Sequence, residues 1–469
     1  MAKKPNIVFF FTDDQRFDTI AALGNPEIKT PAMDRLVAEG TTFTHAHIPC
    51  GTSGAVCMPS RAMLHTGRTL FHLDREGQGI PRNHEMLGET LQKAGYRTFG
   101  TGKWHNGTTS FARSFTDGGE IFFGGMQDHW NVPAHSFDPS GRYESRTIKI
   151  NNCMVDSQES EFVCDHVVPG KHSSELFCDA AIDFIGNYDS EDPFFAYISF
   201  MAPHDPRSMP REYRDLYDPD KLTLPENFMS LHPIDYGQTT IRDEVLAAYP
   251  RTPEVVLQHL AEYYAMITHL DHQIKTVLDC LESKGILQDT IILFAGDNGL
   301  ALGQHGLFGK QSNYEHSIRV PFIIGGPGIP KGQRRDAYIY LLDIFPTLCD
   351  LIGIQKPETV EGISFKPIIE SEEVRTRETL YFAYIDKIRS VKNHRFKLTE
   401  FVHDGKRTSL LFDLKNDPHE LANLYRTEGH ADTISQLEQE LHQFKETWDD
   451  ELHSLGESYW GNYRETQAH

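Results

Sequence analysis

The chain has 469 residues, of which 39% are hydrophobic, 11% aromatic and 24% charged; this is the composition of a globular protein with a core to bury, at a length that suggests two units. Its 67 acidic against 45 basic side chains give a formal charge of −22, a field that repels nucleic acid and anionic membrane surfaces and argues against both as partners. No apolar run approaches the roughly eighteen residues of a membrane span.

Met1-Ala2-Lys3-Lys4 followed by Ile7 to Phe11 imitates an export signal, but the apolar part is short and runs into Asp13-Asp14. It reads as the first core strand, Asn6–Phe11. As the sequence stands it predicts a cytoplasmic protein, and a periplasmic or extracellular one if a signal was trimmed. Helices follow at Pro31–Glu39, where Thr30 and Pro31 give a start signal, at Pro59–Leu64, and at Glu85–Lys93 before Gly95. A strand is expected at Arg97–Gly100, then an irregular region, Thr108–His172, rich in Gly, Asp, Asn, His and Ser. Helix Glu175–Tyr188 and strand Phe194–Phe200 precede a second irregular region, Asp205–Pro250. Loops of this length are usually functional, and each follows a strand end, so both are expected to wall a substrate pocket.

Over Pro253–Lys284 the residues Val256, Leu260, Tyr263, Ile267, Leu270, Ile274, Val277 and Leu281 recur at helical spacing, a packing stripe. Strands Thr290–Ala295 and Val320–Ile324 and helix Leu341–Leu351 complete an alternation that predicts an α/β unit: a large, mostly parallel sheet sandwiched by helices. Between Lys356 and Glu373 the apolar pattern lapses, which places a boundary near 365 and divides the chain into 1–365 and 366–469. The second unit holds strands Leu380–Tyr384, Phe396–Glu400 and Leu410–Asp413 and a polar helix Thr433–Trp448, a small antiparallel sheet with a helix against it. Seven cysteines without a C-x-x-C suit a reduced protein without structural zinc. Cys153 and Cys164 could pair.

Cys57-Met58-Pro59-Ser60-Arg61 is the most informative stretch. Pro59 suits a first helical turn, so Cys57 lies where free backbone donors and the helix dipole favour an anion, with Arg61 four residues on along the same face. Continued through Ala62-Met63-Leu64-His65-Thr66-Gly67-Arg68, the segment matches every fixed position of C-x-P-S-R-x-x-L-x-T-G-R. This resembles the signature of the type I sulfatases, of the alkaline phosphatase-like superfamily, in which that cysteine is oxidised to Cα-formylglycine by a maturation enzyme. Further motifs recur in the family's order from Asp13 to about Pro321.

Four of them fall where predicted strands end, the place where open α/β sheets hold ligands. Asp13-Asp14 and Asp297-Asn298-Gly299 are, taken singly, equally at home as turns or caps. Together they offer three carboxylates and an amide oxygen, a set for Ca²⁺ or Mg²⁺. By the resemblance Asp13, Asp14, Asp297 and Asn298 hold one divalent cation, usually calcium, with the modified Cys57 as a further ligand. Gly102-Lys103-Trp104-His105 puts Lys103 and His105 on one side and Trp104 on the other. Ala202-Pro203-His204-Asp205 follows the next strand. Gly303-Gln304-His305-Gly306-Leu307-Phe308-Gly309-Lys310 and Tyr314–Pro321 resemble the segment with the sulfate-binding lysine, except that His316 stands where the family usually has a second acid.

The resemblance implies a sulfuric ester hydrolase. A hydrated formylglycine has two hydroxyls on one carbon: one attacks sulfur, and the other, once deprotonated, collapses to the aldehyde and expels sulfate. Arg61 then assists ionisation of the attacking hydroxyl, His204 with Lys310 nearby protonates the leaving alcohol, His105 assists the collapse, and Lys103 and Lys310 bind sulfate oxygens. A sulfated sugar or oligosaccharide is the expected substrate, with His305, Arg207, Trp130, Trp104, His129 and His135 as ring contacts. The alternatives are a phosphonate or phosphate ester hydrolase, an arylsulfatase or choline-sulfatase-like enzyme, and a silent sulfoglycan-binding protein in which Cys57 stays a thiol. The sequon Asn106-Gly107-Thr108 reads as chance, because a glycan beside His105 obstructs the pocket. No motif specifies the sugar, the ester position or the number of subunits.

Overall fold

The computed structural model describes residues 4–152 and 158–466. Its centre is an eight-stranded sheet in the order Gln333–Arg335, Gly40–Phe43, Phe322–Gly325, Thr290–Gly296, Asn6–Thr12, Phe194–Ser199, Arg97–Lys103 and Asp117–Phe122. The five strands from Thr290–Gly296 to Asp117–Phe122 run parallel. Phe322–Gly325 pairs antiparallel with Thr290–Gly296, so the sheet is mixed at one side. The expected strand Val320–Ile324 is broken at Pro321, which has no N–H for a ladder. Arg319–Val320 belongs instead to a separate three-stranded sheet.

Alternation along the first strand shows why the sheet is covered on both faces. Ile7, Phe9 and Phe11 enter one apolar cluster and Val8 and Phe10 the other. Helices Pro31–Glu39, Ser173–Gly186 and Pro253–Ser283 cover the second cluster, and Cys57–Thr66, Leu87–Lys93 and Ile344–Ile352 lie on the first. The long helix starts at Thr252, whose side chain accepts from Val255 N–H, with Pro253 as its first residue. Its stripe is buried throughout. Tyr263 in that stripe also makes polar contacts. Its hydroxyl donates to Asp14 O at 2.6 Å and accepts from Arg16 N–H at 2.9 Å, fixing the turn after the first strand.

The irregular region Thr108–His172 contains helix Thr108–Ser114, the edge strand Asp117–Phe122 and a hairpin of Arg146–Asn152 with Gln158–Cys164. Glycines and acids at the sheet edge concealed these elements, since an edge strand needs little apolar alternation. Cys153 lies outside the described residues, and with it the Cys153–Cys164 pairing. The C-terminal sheet has Thr379–Tyr384, Ile388–Asn393, Phe396–His403 and Lys406–Asp413 as successive antiparallel strands. Its fifth strand is Cys50–Gly51, parallel to Thr379–Tyr384, and the first apolar cluster continues into this sheet and into helices Ala431–Thr447 and Ser454–Glu465. A boundary near 365 is therefore crossed by both a strand pairing and a shared core. No helix among the described residues is long and apolar enough to cross a membrane.

Candidate active site

Adjacent strands deliver the motif residues to one end of the sheet. Asp13 follows Thr12, Asp297 follows Gly296, Lys103 ends its strand, and His204 lies just beyond Ser199. Backbone bonds lock these ends together: Asp13 N–H donates to Ala202 O at 3.0 Å and Asp297 N–H to Thr12 O at 2.9 Å. Gly299 is required for space, because a Cβ there would meet His316 O at 2.0 Å. Asp14 and His105 sit in the left-handed region at φ 60° and 68°, strain of a kind that persists where surrounding structure over-determines a functional position.

Cys57 opens the helix Cys57–Thr66 and is buried. Its Sγ lies 3.4 Å from His105 Nδ1 and 3.5 Å from Lys103 Nζ. One ligand atom each of Asp13, Cys57 and Asp297 fall within 4.8 Å of one another, as do those of Asp13, Asp14 and His204. The helix start does not make the thiol acidic. Burial pushes it up to about 11, against the opposing pull of Lys103 and Lys310. The same burial, with Lys103, Arg61 and Lys310 nearby, holds His105 down at about 2, so its imidazole is neutral.

Arg61 lies near Cys57 but spends its donors on other groups. Its guanidinium donates through Nε to Asp297 Oδ2 at 2.9 Å and through Nη1 to Ser199 Oγ at 2.5 Å and Lys103 O at 3.0 Å, with Nη2 3.6 Å from Asp13 Oδ2. It therefore braces the carboxylates. Lys103 is ion-paired with Asp13, and Lys310 Nζ donates to Asp14 Oδ1 at 2.7 Å. His204 Nδ1–H donates to Asp205 O at 2.8 Å, which turns Nε2 toward Asp14 Oδ2 at 3.7 Å. The acid missing at His316 is not missed by Lys310, whose partner is Asp14. Glu315 is instead paired with Lys392 at 2.7 Å, away from the cleft.

Two buried oxygens, Asp13 Oδ1 and Asn298 Oδ1, have no hydrogen-bond partner. An orphaned acceptor in a dry interior costs free energy unless a proton or cation meets it. Burial and then the neighbouring Asp13 raise Asp297 to about 7, whereas Asp13 is held far below the usual carboxylate range because Lys103, Arg61, His204 and Lys310 outweigh its burial. Close carboxylates that resist joint ionisation, with buried oxygens left unpartnered, fit a hard divalent cation.

A cleft of about 350 Å³ opens over this cluster, lined among others by Cys57, His105, His204, Lys310, Met126, Ile241, Arg242, Asp243, Gln311 and Tyr384. Met126 comes from one irregular region and Ile241 to Asp243 from the other. The remaining expected ring contacts lie elsewhere. Trp104 is buried among His65, Phe111 and Phe115. Trp130 packs on His172, and His305 stacks on Tyr314 with centroids 4.0 Å apart. Arg207 is turned to His259 and the Tyr263 ring. His129 Nε2 donates to His204 O at 3.0 Å, behind the catalytic end, and His135 is buried against Phe123. None of these lines the cleft. Asn106 is also buried, its amide donating to Met58 O and Gly77 O, which leaves no room for a glycan.

The sequence matches the Sulfatase family over residues 5–354 and the N-sulphoglucosamine sulphohydrolase C-terminal family over 303–447. The chain belongs to the sulfatase family. It is similar to an arylsulfatase of Clostridium perfringens, 30% identical over 456 residues covering 92% of this chain and 93% of the relative. An N-acetylglucosamine-6-O-sulfatase of Bacteroides thetaiotaomicron is 27% identical, with 96% and 87% covered. Among solved structures, a protein in complex with its substrate D-glucosamine-2-N,6-O-disulfate superposes with a TM-score of 0.76 at 24% identity, covering 97% of this chain and 100% of that one. The phosphonate monoester hydrolase of Agrobacterium radiobacter gives 0.75 at 21%, with 95% and 96% covered. These two likenesses establish the alkaline phosphatase-like fold, and the family membership makes the protein a hydrolase of sulfuric esters.

Proposed function

We propose that this sulfatase releases sulfate from a sulfated sugar, using a formylglycine made from Cys57 and one divalent cation, calcium by preference. The observation that carries the reading is the convergence on residue 57: Sγ within 3.5 Å of both Lys103 Nζ and His105 Nδ1, beside the Asp13 and Asp297 carboxylates. Asp13, Asp14, Asp297 and Asn298 would hold the cation, a role supported by the two orphaned oxygens. When bound, it supplies Lewis acidity toward sulfate and the reacting side chain.

The Sγ atom marks where the oxygens of the converted side chain would begin. His105, with Nδ1 3.4 Å from it, stands within reach to accept a proton from that side chain as sulfate departs. His204, oriented by its bond to the Asp205 carbonyl, presents Nε2 to the cleft, where its doubly protonated form would donate to the leaving alcohol. Lys103 and Lys310, now paired with Asp13 and Asp14, are placed to take sulfate oxygens once a dication shares those carboxylates. Arg61 keeps Asp297 in register. The sugar is supported by the two relatives whose names or ligands carry glucosamine sulfates.

The decisive experiment is intact-mass analysis of protein from its native host, with sulfate release measured on aryl sulfates, monosulfated sugars and aryl phosphonates. Conversion of Cys57 with turnover of sulfates over phosphonates is expected. A thiol at 57 in an active preparation, or preference for phosphonates, overturns the reading.

A further inference from the structure

Beyond the sulfate-binding end, the cleft has one carboxylate, and its surroundings are specific. Asp243 lies in the short turn Arg242–Leu246, inside the region Asp205–Pro250. Its Oδ1 accepts from Arg242 Nη1 at 2.8 Å and its Oδ2 from Gln311 Nε2 at 2.6 Å. Gln311 is itself fixed: its amide also donates to Gly54 O at 2.9 Å, and its Oε1 accepts from Lys310 N–H at 2.9 Å. The carboxylate is thus held from two sides by groups on different segments, one of them next in sequence to the sulfate-end Lys310.

A carboxylate offers about four lone-pair sites. The two bonds above leave acceptor capacity on Asp243, which lines the cleft with Met126, Ile241 and Tyr384. Arg242 does not make this rim cationic. It is shared with Asp205 through a two-point pair and with Asp243, so two carboxylates face one guanidinium. The outer cleft thus presents Asp243 beside an already engaged Arg242, while the inner end carries Lys310. Burial raises Asp243, but Lys310, Arg242 and Gln311 outweigh it and hold its value at about 2, so it accepts as an anion.

We infer that Asp243 reads the substrate: it accepts a hydrogen bond from a free ring hydroxyl near the sulfate ester, selecting sugars with a hydroxyl there and rejecting those with a second sulfate or carboxylate at that position. This rests on the sulfated-sugar reading and narrows it to rings uncharged beside the scissile ester. A hydrogen bond to a charged group made or lost at such a site corresponds to roughly 10- to 100-fold in kcat/KM. A deoxygenated ring, which leaves the remaining acceptor capacity of Asp243 dry and unused, is disfavoured in the same direction.

The test compares the native-host enzyme and Asp243→Asn on monosulfated hexopyranosides, each lacking one ring hydroxyl, alongside the parent sugars and an aryl sulfate. Wild type is expected to lose roughly 10- to 100-fold in kcat/KM at one deoxy position, and a sugar sulfated at that same position is expected to be refused. In Asp243→Asn the ratio of parent to deoxy substrate falls to near unity, with the melting temperature measured for both proteins to confirm folding. Asp243→Asn with the wild-type ratio intact overturns the inference, as does a wild type indifferent to every deoxygenation. If wild type releases sulfate from neither sugars nor aryl sulfate, the sulfatase reading itself has failed; if it cleaves aryl sulfate but no sugar, only the sugar reading and this inference fall.

Discussion

The strand-end cluster and the cluster around Glu315 are built from the same materials. The first sets Asp13, Asp14 and Asp297 against Arg61, Lys103 and Lys310; the second sets Glu315 and Glu420 against Lys392 and Lys397, with His47 alongside. Both are buried and both balance in charge. In the second, the charged groups are spent on one another: Lys392 Nζ meets Glu315 Oε2 at 2.7 Å and His47 Nε2 at 2.9 Å, Lys397 Nζ meets Asn313 O at 2.8 Å, and Glu420 Oε2 accepts from Glu315 N–H at 2.9 Å. Both clusters leave buried acceptors over, Asp13 Oδ1 and Asn298 Oδ1 in the first and Asn313 Oδ1 in the second, but it is the first that a cleft reaches, at Cys57. Charge balance therefore does not mark a site. Unspent acceptors that a cleft can reach do, and a dication added to a balanced set leaves a net positive pocket inside a protein of charge −22.

Substitutions at the two clusters should separate chemistry from stability. His105→Ala and His204→Ala are each expected to lower kcat by about 10²–10⁴-fold with little change in unfolding free energy; substantial turnover in both would remove their acid–base roles. Glu315→Gln leaves two buried lysines short of countercharge and is expected to cost about 3–5 kcal/mol in denaturant unfolding while turnover per folded molecule stays unchanged. A stable Glu315→Gln would mean that Lys392 and Lys397 find other partners.

This contrast also explains what could be read in the chain. Asp13, Cys57, Lys103, His204, Asp297 and Lys310 were legible because each belongs to a motif that follows a strand end or opens a helix, so local pattern plus parallel-sheet topology brings them together. The parallel run of the central strands follows from the same alternation, but their order does not. The cleft rim was legible by region, since both irregular stretches contribute to it, but not by residue. Ile241, Asp243 and Tyr384 reach it from distant segments whose placement depends on tertiary packing, and Trp104 or His305 looked like ring contacts only because their residue types suit sugars. Gln311 had the best available signal, since it adjoins Lys310.

Cation binding sharpens the comparison at a smaller scale. Calcium at about 100 times its dissociation constant is expected to stabilise the wild type by about 2.7 kcal/mol, read as a rise in melting temperature that a chelator reverses. Asp13→Asn should abolish that rise, because it replaces a ligand with the orphaned oxygen, while Glu315→Gln should keep it. Equal shifts in both variants would place the cation elsewhere.

The smallest expected effect concerns a third, half-exposed set that links the loop after the Cys57 helix to the C-terminal half. Glu361 accepts from Thr69 N–H at 2.7 Å and from His72 Nδ1–H at 2.8 Å, and His72 Nε2 reaches Asp449 at 3.0 Å. Burial raises Glu361, but the bonds from His72 and Thr69 dominate and hold it at about 2, below its ordinary 4.5. Its contribution is present above about 4.5 and fades as pH falls toward 2. His72 is raised above its ordinary 6.5, first by the Glu361 bond, against burial. Its contribution is complete below about 6.5 and fades as pH rises through the higher folded value. Both act together between about 4.5 and 6.5, where partial exposure limits the gain to about 0.5–1 kcal/mol. His72→Gln should therefore flatten the alkaline decline in unfolding free energy above about pH 6.5 while leaving calcium binding intact; a decline of unchanged slope would assign the alkaline loss to another group.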